Sequence, residues 1–211
     1  AFIVAKAPNN PTATWGGYHP VSQRWLLPEI NSIRKAGGEV MISLGGANGT
    51  PLAAAHKTPE RLQAAYQKVI DIYGLTHIDF DVEGHWLAEA KSIERRSRAI
   101  AGLQSEAKRA GRTLRVWYTL PVLPNGLTRE GLAVLRSGLR HDVVIAGVNV
   151  MAMDYGRANA PQPTTHMGAY AIQAATRLHS QLKTMHREAG VVRTDAQLWS
   201  MVGLTPMLGH N

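Results

Sequence analysis

Within His77-Ile78-Asp79-Phe80-Asp81-Val82-Glu83-Gly84, three carboxylates recur at every second residue. In an extended strand, alternate side chains face opposite ways, so Asp79, Asp81 and Glu83 share one face and Ile78, Phe80 and Val82 the other. Neighbouring acids on such a face stand roughly 6 to 7 Å apart. If the face is shielded from water, like charges at that spacing cannot all ionise. At least one carboxyl then keeps its proton near neutral pH, as a general acid requires. An exposed acidic edge strand would need no such chemistry, but the apolar opposite face argues for a strand buried in a parallel sheet, with the acids pointing into a barrel. A divalent-cation site using this row with His77 and His85 is a second alternative. The sequence offers no second His- or Asp-rich cluster to complete the ligand set, and both histidines read as structural.

The row needs a scaffold, and the rest of the chain supplies one. Short apolar runs alternate with helical patterns from end to end, which predicts βαβ units around a parallel sheet, an α/β fold. Strands are expected over 1–5, 39–44, 77–83, 115–120, 143–153 and 198–204. Helices are expected over 28–36, 58–73, 89–110, 128–137 and 167–188. Thr58-Pro59 offers an N-cap with proline at the first helical position, and Gly37-Gly38 and Gly111 mark helix ends. The Gly-, Asn- and Pro-rich segments 45–51, 123–126 and 156–165 follow strands, on the side where barrel active sites gather.

Composition narrows the classes. The chain has 211 residues, enough for one domain and near the lower limit for a (β/α)8 barrel, typically about 250 residues. Apolar residues are 45% and charged residues 18% of the chain, a globular balance. Cysteine is absent, which excludes a disulfide framework and thiolate metal sites. No apolar run approaches a bilayer span, and the N-terminal AFIVAKAP lacks the basic flank of a signal peptide. A net charge of +8 invites a nucleic-acid reading. However, the densest basic cluster (Lys91, Arg95, Arg96, Arg98, Lys108, Arg109, Arg112 and Arg115) overlaps a helix in which Ile93, Ile100, Leu103 and Ala107 recur at helical spacing. These cations are expected to be its solvated face.

With these elements in place, the chain resembles glycoside hydrolase family 18, the chitinase family, whose signature strand reads D-G-x-D-x-D-x-E. Here it stands as Thr76-His77-Ile78-Asp79-Phe80-Asp81-Val82-Glu83, with Thr76 and His77 in place of the leading Asp-Gly. Val40-Met41-Ile42-Ser43-Leu44-Gly45-Gly46 resembles the family's S-x-G-G element. Val148-Asn149-Val150-Met151-Ala152-Met153-Asp154-Tyr155-Gly156 resembles its M-x-Y-D element, with Met153 at the usual Tyr position. Tyr118 to Pro124 and Gly203 to Gly209 look like segments of bacterial secreted chitinases. Three motifs in order, each in matching strand context, are far more specific than any one alone.

The resemblance implies a (β/α)8 TIM barrel of which this chain carries about six strands, the family's second to seventh, so that residues 1–211 form part of a catalytic domain. It also implies a cysteine pair in relatives near Thr12 and His56, absent here, and a secreted location. The implied activity is hydrolysis of β-1,4-linked N-acetylglucosamine polymers in which the substrate's own acetamide is the nucleophile. Glu83 would be the acid/base, Asp81 would stabilise the oxazolinium, and Asp79 would tune the proton shared with Asp81. Met151, Asp154, Tyr155, Tyr118, Trp15 and Gly46 are the substrate-binding candidates. Trp86, Trp117 and Trp199 are further aromatic platforms, with Trp117 and Trp199 expected mainly in the core. Chitin or chitooligosaccharides would be the partner of a monomer, with no cofactor, metal, nucleic acid or membrane. An endo-β-N-acetylglucosaminidase acting on glycoprotein glycans shares the same strand. A chitin-binding lectin on this barrel is the non-catalytic alternative, disfavoured by the presence of Glu83.

Overall fold

The structure, a computed structural model, describes residues 2–207. Ala1 of the first expected strand and residues 208–211 lie outside them. In order the elements are β1 (Ile3–Ala7), β2 (Asn10–Trp15), β3 (His19–Pro20), α1 (Leu27–Lys35), β4 (Ile42–Gly45), α2 (Leu52–Ala55), α3 (Pro59–Tyr73) and β5 (His77–Asp81). They continue with α4 (Ala90–Arg109), β6 (Arg115–Pro121), α5 (Arg129–Arg140), β7 (Ile145–Ala152), α6 (Pro163–Glu188), α7 (Asp195–Ser200) and β8 (Val202–Pro206). One sheet runs β3-β2-β1-β4-β5-β6-β7-β8. From β1 through β4 to β8, neighbours are parallel and consecutive in the chain. That is the strand order of a TIM barrel, without the reversal of a doubly wound sheet.

All six expected strands are present. The antiparallel hairpin β2–β3 outside β1 is an addition that the sequence reading missed. Asn10-Pro11-Thr12 opens β2 with a half-buried residue and two exposed ones and no large apolar side chain, so β2 lacks the apolar run used to find the others. The expected strand over 198–204 also divides: Leu198 belongs to α7, and β8 begins at Val202. The signal for α7 was in the sequence, because Thr194 and Gln197 form a capping box, each side chain bonding the other's backbone N–H. The His56 imidazole bonds the backbone of Pro11, tying α2 to β2 near the cysteine pair implied for relatives.

The strands have two unlike faces. Ile42 and Leu44, Ile78 and Phe80, Val116, Tyr118 and Leu120, and Val148, Val150 and Ala152 are all buried in one core cluster with Leu62, Ile100, Leu103 and Leu135 of the helices. The opposite face carries Ser43, Asp79, Asp81, Trp117, Thr119, Asn149, Met151 and Thr205 by the period-two alternation of the same strands. The helix layer departs from expectation at one point. Arg96 of α4 is 3% exposed, near the Tyr66 and Tyr118 phenols, instead of on the solvated face.

Candidate active site

The acids owe their place to β4. Ser43 pairs with Asp79 and Gly45 with Asp81 in parallel register. Gly45 has φ +121° and Gly46 φ +95°, conformations open to glycine and strained for L-residues. Gly46 N–H donates to the Asp81 carbonyl at 3.1 Å. A Cβ on Gly45 would overlap that same carbonyl oxygen, and one on Gly46 would meet the Phe2 ring at 2.9 Å. The paired glycines thus let β4 press against β5 where the acidic face begins. Gly45→Ala is expected to destabilise the chain on the order of 3 kcal/mol, through forced strand separation and a strained φ. Urea unfolding would measure it, and a change below about 1 kcal/mol would mean the close approach is not required.

The three carboxyls have different surroundings. Asp79 is 4% exposed and well supplied: Ser43 Oγ donates to Oδ2 at 2.6 Å, and the Thr119 hydroxyl reaches both carboxyl oxygens at 3.0 Å. Burial pushes its proton affinity up, while the Ser43 and Thr119 donors pull it back. Asp81 is 5% exposed, and its Oδ1 is buried without a hydrogen-bond partner among the described residues. Burial first, then the charges of Glu83 and Asp79, push its pKa up to about 7. Glu83, just beyond the strand, is partly exposed and is pushed above its ordinary value by desolvation. The row therefore holds a donor-saturated acid at its base, an acid keeping its proton near neutrality in the middle, and an accessible acid at the mouth. Such a set can give and take a proton at a bond lying across Glu83.

Other expected site residues divide. Gly46 lies beside Asp81, and Met151 stands on the same sheet face, opposite Pro121 and Thr205. Asp154 and Tyr155 follow β7 at the carboxyl end of the sheet. Asp154 is exposed at φ +49°, and the buried Tyr155 hydroxyl has no hydrogen-bond partner among the described residues. Burial pushes that phenol up to about 12.

Tyr118 and Trp15 do not join them. Tyr118 has the parity of the helix-facing side, and its hydroxyl lies in the layer near Gly138 of α5. Trp15 pairs with Ile3, which is level with Leu44, so it too has the parity of the helix-facing side. There its indole N–H donates to the Tyr73 hydroxyl at 2.8 Å, and its ring packs edge-on against Trp25 and Tyr73. Trp86 packs partly buried against the core beside His85. Trp117 lies on the acidic face over Gly147 and Gly203, whose missing side chains make room for its ring. Trp199, expected in the core, is 44% exposed on α7 and stacks on His179 at 4.3 Å. The sequence reading assigned no role to Thr119, although its position two residues after Trp117 in an apolar strand placed it on the acidic face.

No protein-family model matches the chain. Curated relatives do. The chain is similar to the "Probable bifunctional chitinase/lysozyme" of Escherichia coli K12 and to "Endochitinase 11" of Metarhizium anisopliae, each 42% identical over 215 residues covering 100% of this chain. It spans 24% and 40% of their respective lengths. Among solved structures, the catalytic domain of a hyperthermophilic chitinase from Pyrococcus furiosus superimposes with a TM-score of 0.82 at 32% identity, over 99% of this chain and 62% of that one. Catalytic-site mutants of the active domain 2 of that organism's thermostable chitinase, complexed with chito-oligosaccharides, match equally well.

Proposed function

We infer that this chain belongs to the chitinase family of glycoside hydrolases, and that residues 1–211 form part of a catalytic domain that cleaves β-1,4 bonds between N-acetylglucosamine units, with Glu83 as acid and base. The observation that carries this reading is the contrast within the row, where both oxygens of Asp79 meet donors and Asp81 Oδ1 is buried with no partner among the described residues. An acetamide N–H of the substrate is the group that would complete Asp81.

Glu83 gives its proton to the glycosidic oxygen as the C1–O bond breaks. The acetamide carbonyl oxygen of the same sugar attacks C1 and closes an oxazolinium ring. The acetamide N–H donated to Asp81 and the positive charge developing beside it both favour the ionised form of Asp81, whose resting proton passes to solvent, so that its carboxylate balances that charge. Water then adds to C1, losing its proton to Glu83, and the oxazolinium opens to restore the acetamide. Both steps invert C1, so the product retains the β configuration. Met151 lies against the sugar, and Asp154 and Tyr155 orient the acetamide from the end of β7. The resemblance supports action outside the cell. No helix among the described residues is long and apolar enough to cross a membrane.

A fluorogenic chitotriose and its de-N-acetylated counterpart test the mechanism together. The first is expected to be cleaved with β product seen by NMR. The second should be slower by at least about three orders of magnitude, because an oriented internal nucleophile has been removed. Equal rates, or α product, would overturn the substrate-assisted reading. Binding of chitooligosaccharides without cleavage would favour the lectin alternative.

A further inference from the structure

The acidic face carries a chain of hydrogen bonds extending well beyond the carboxylates. The Thr205 hydroxyl on β8 donates to Asn149 Oδ1 at 3.0 Å, and Asn149 Nδ2 on β7 donates to Thr119 Oγ1 at 3.2 Å. The Thr119 hydroxyl on β6, its oxygen engaged as an acceptor, spends its single proton on Asp79, at 3.0 Å from both carboxyl oxygens. Every donor in this chain points toward β5. Ser43 completes it from the other flank, so one polar row crosses five adjacent strands and ends on one carboxyl.

The middle of the row sets its direction. A hydroxyl can turn its proton either way, but an amide has its donor and acceptor on opposite arms and reverses only by rotating the whole group. Asn149 holds Oδ1 toward Thr205 and Nδ2 toward Thr119, and Gly203 opposite it leaves the room this needs, since a Cβ there would meet Asn149 Cα and Oδ1 at 3.1 Å. With Nδ2 donating to the Thr119 oxygen, Thr119 could accept from a protonated Asp79 only through its remaining lone pair, and its own proton would then lose Asp79, its acceptor among the described residues.

We propose that Thr119, Asn149 and Thr205 form a one-way hydrogen-bond relay that favours the charged form of Asp79, leaving the proton of the row on Asp81. This makes Thr119 and Asn149 positioning residues of the reaction. The proposal deepens the chitinase reading and rests on it for its functional meaning. Other titratable or charged groups on this face are few: Asp81 and Glu83 on β5 and the strand beyond it, with His77 and Arg115 at the opposite ends of β5 and β6. The interior positions of β4, β7 and β8 (Ser43, Gly45, Gly147, Asn149, Met151, Gly203 and Thr205) carry no charge. Besides burial, the hydrogen bonds from Ser43 and from Thr119, the end of the relay, are the main influences on Asp79. Burial raises Asp79, and the Ser43 and Thr119 donors oppose it, whereas Asp81 Oδ1 has no donor among the described residues.

The test is a carbon-detected NMR titration of the Asp79 and Asp81 side-chain carboxyls in the 211-residue chain, run beside the pH profile of kcat. In the parent the lower midpoint is expected to belong to Asp79. Asn149→Leu should draw the two midpoints together, shift the acid limb of kcat, and lower kcat about tenfold, the low end for a hydrogen bond to a charged group, with KM little changed. Thr119→Val should do the same more strongly, and Thr119→Ser should restore the separation. Asn149→Asp keeps the volume but turns an acceptor toward Thr119, and so should move the Asp79 midpoint upward even if the leucine variant folds poorly. Midpoints that stay at parental values in both Asn149 variants, whatever happens to activity, would make the row a structural belt and overturn the relay. Midpoints that move as expected in a chain that cleaves no chitooligosaccharide would uphold the relay and sink the chitinase reading instead.

Discussion

Glu83→Gln is expected to lower kcat on chitooligosaccharides by about 10² to 10⁴-fold, the range that a positioned proton donor supplies. Glutamine fills the same volume and can hydrogen-bond the glycosidic oxygen, but it has no acidic proton to give and cannot accept one from water. KM should change little, because the substrate's other contacts survive. Stability should also change little, since Glu83 is only partly buried. Single-turnover assays with circular dichroism separate loss of chemistry from loss of fold. A variant that keeps more than about a tenth of parental kcat would mean that Glu83 is not the donor.

The second large effect is expected at Asp81, and it should appear in stability as well as rate. Asp81 moves from an ordinary value of 3.8 to about 7 on folding, chiefly by burial. Between those values the folded chain holds a proton that the unfolded chain releases, so stability falls as pH rises through that window and the penalty is complete above it. Asp81→Asn removes the charge that has to be buried. At pH 8 the variant is therefore expected to be more stable than the parent by on the order of 2 kcal/mol, less than the full shift at about 1.4 kcal/mol per unit because water screens the open side. Near pH 4 the two should nearly coincide. Asparagine cannot balance the positive oxazolinium, so kcat should fall by about 10² to 10³-fold, as when one preorganised electrostatic partner is removed. Urea unfolding at the two pH values together with kcat measures both effects. Equal stability at pH 8 would contradict a strained carboxyl at this position. Full activity would contradict its role in the reaction.

Gain of stability with loss of rate at one residue is what a site that stores strain for function produces. Asp79 provides the contrast. Its donors are already in place, so Asp79→Asn would leave Ser43 and Thr119 competing for a single acceptor oxygen beside an unneeded N–H donor.

The carboxylate row could be read from the chain because period-two alternation is a local rule: once His77 to Asp81 is a strand, Asp79 and Asp81 share a face. The six parallel strands and most helices were legible for the same reason, since runs such as 145–152 and capping signals such as Thr58-Pro59 lie within a few residues of one another. Local rules failed where a residue's surroundings come from afar. Trp15 was an aromatic candidate until the pairing of β1 with β2 turned it into the core on the helix-facing side. Tyr118 was one until strand parity turned it toward α5, and Arg96 was a solvated cation until α4 laid it beside Tyr66 and Tyr118.

The sequence alone determined which residue types alternate along each strand, and hence that three acids face together beneath a glycine pair and that the chain builds an α/β sheet. Only the tertiary structure decided how those acids differ. Asp79 finds Ser43 and Thr119 across 36 and 40 residues of chain, and Asn149 finds Thr205 across 56. These partners meet only through the register of neighbouring strands, and the burial that keeps a proton on Asp81 is a property of the assembled sheet.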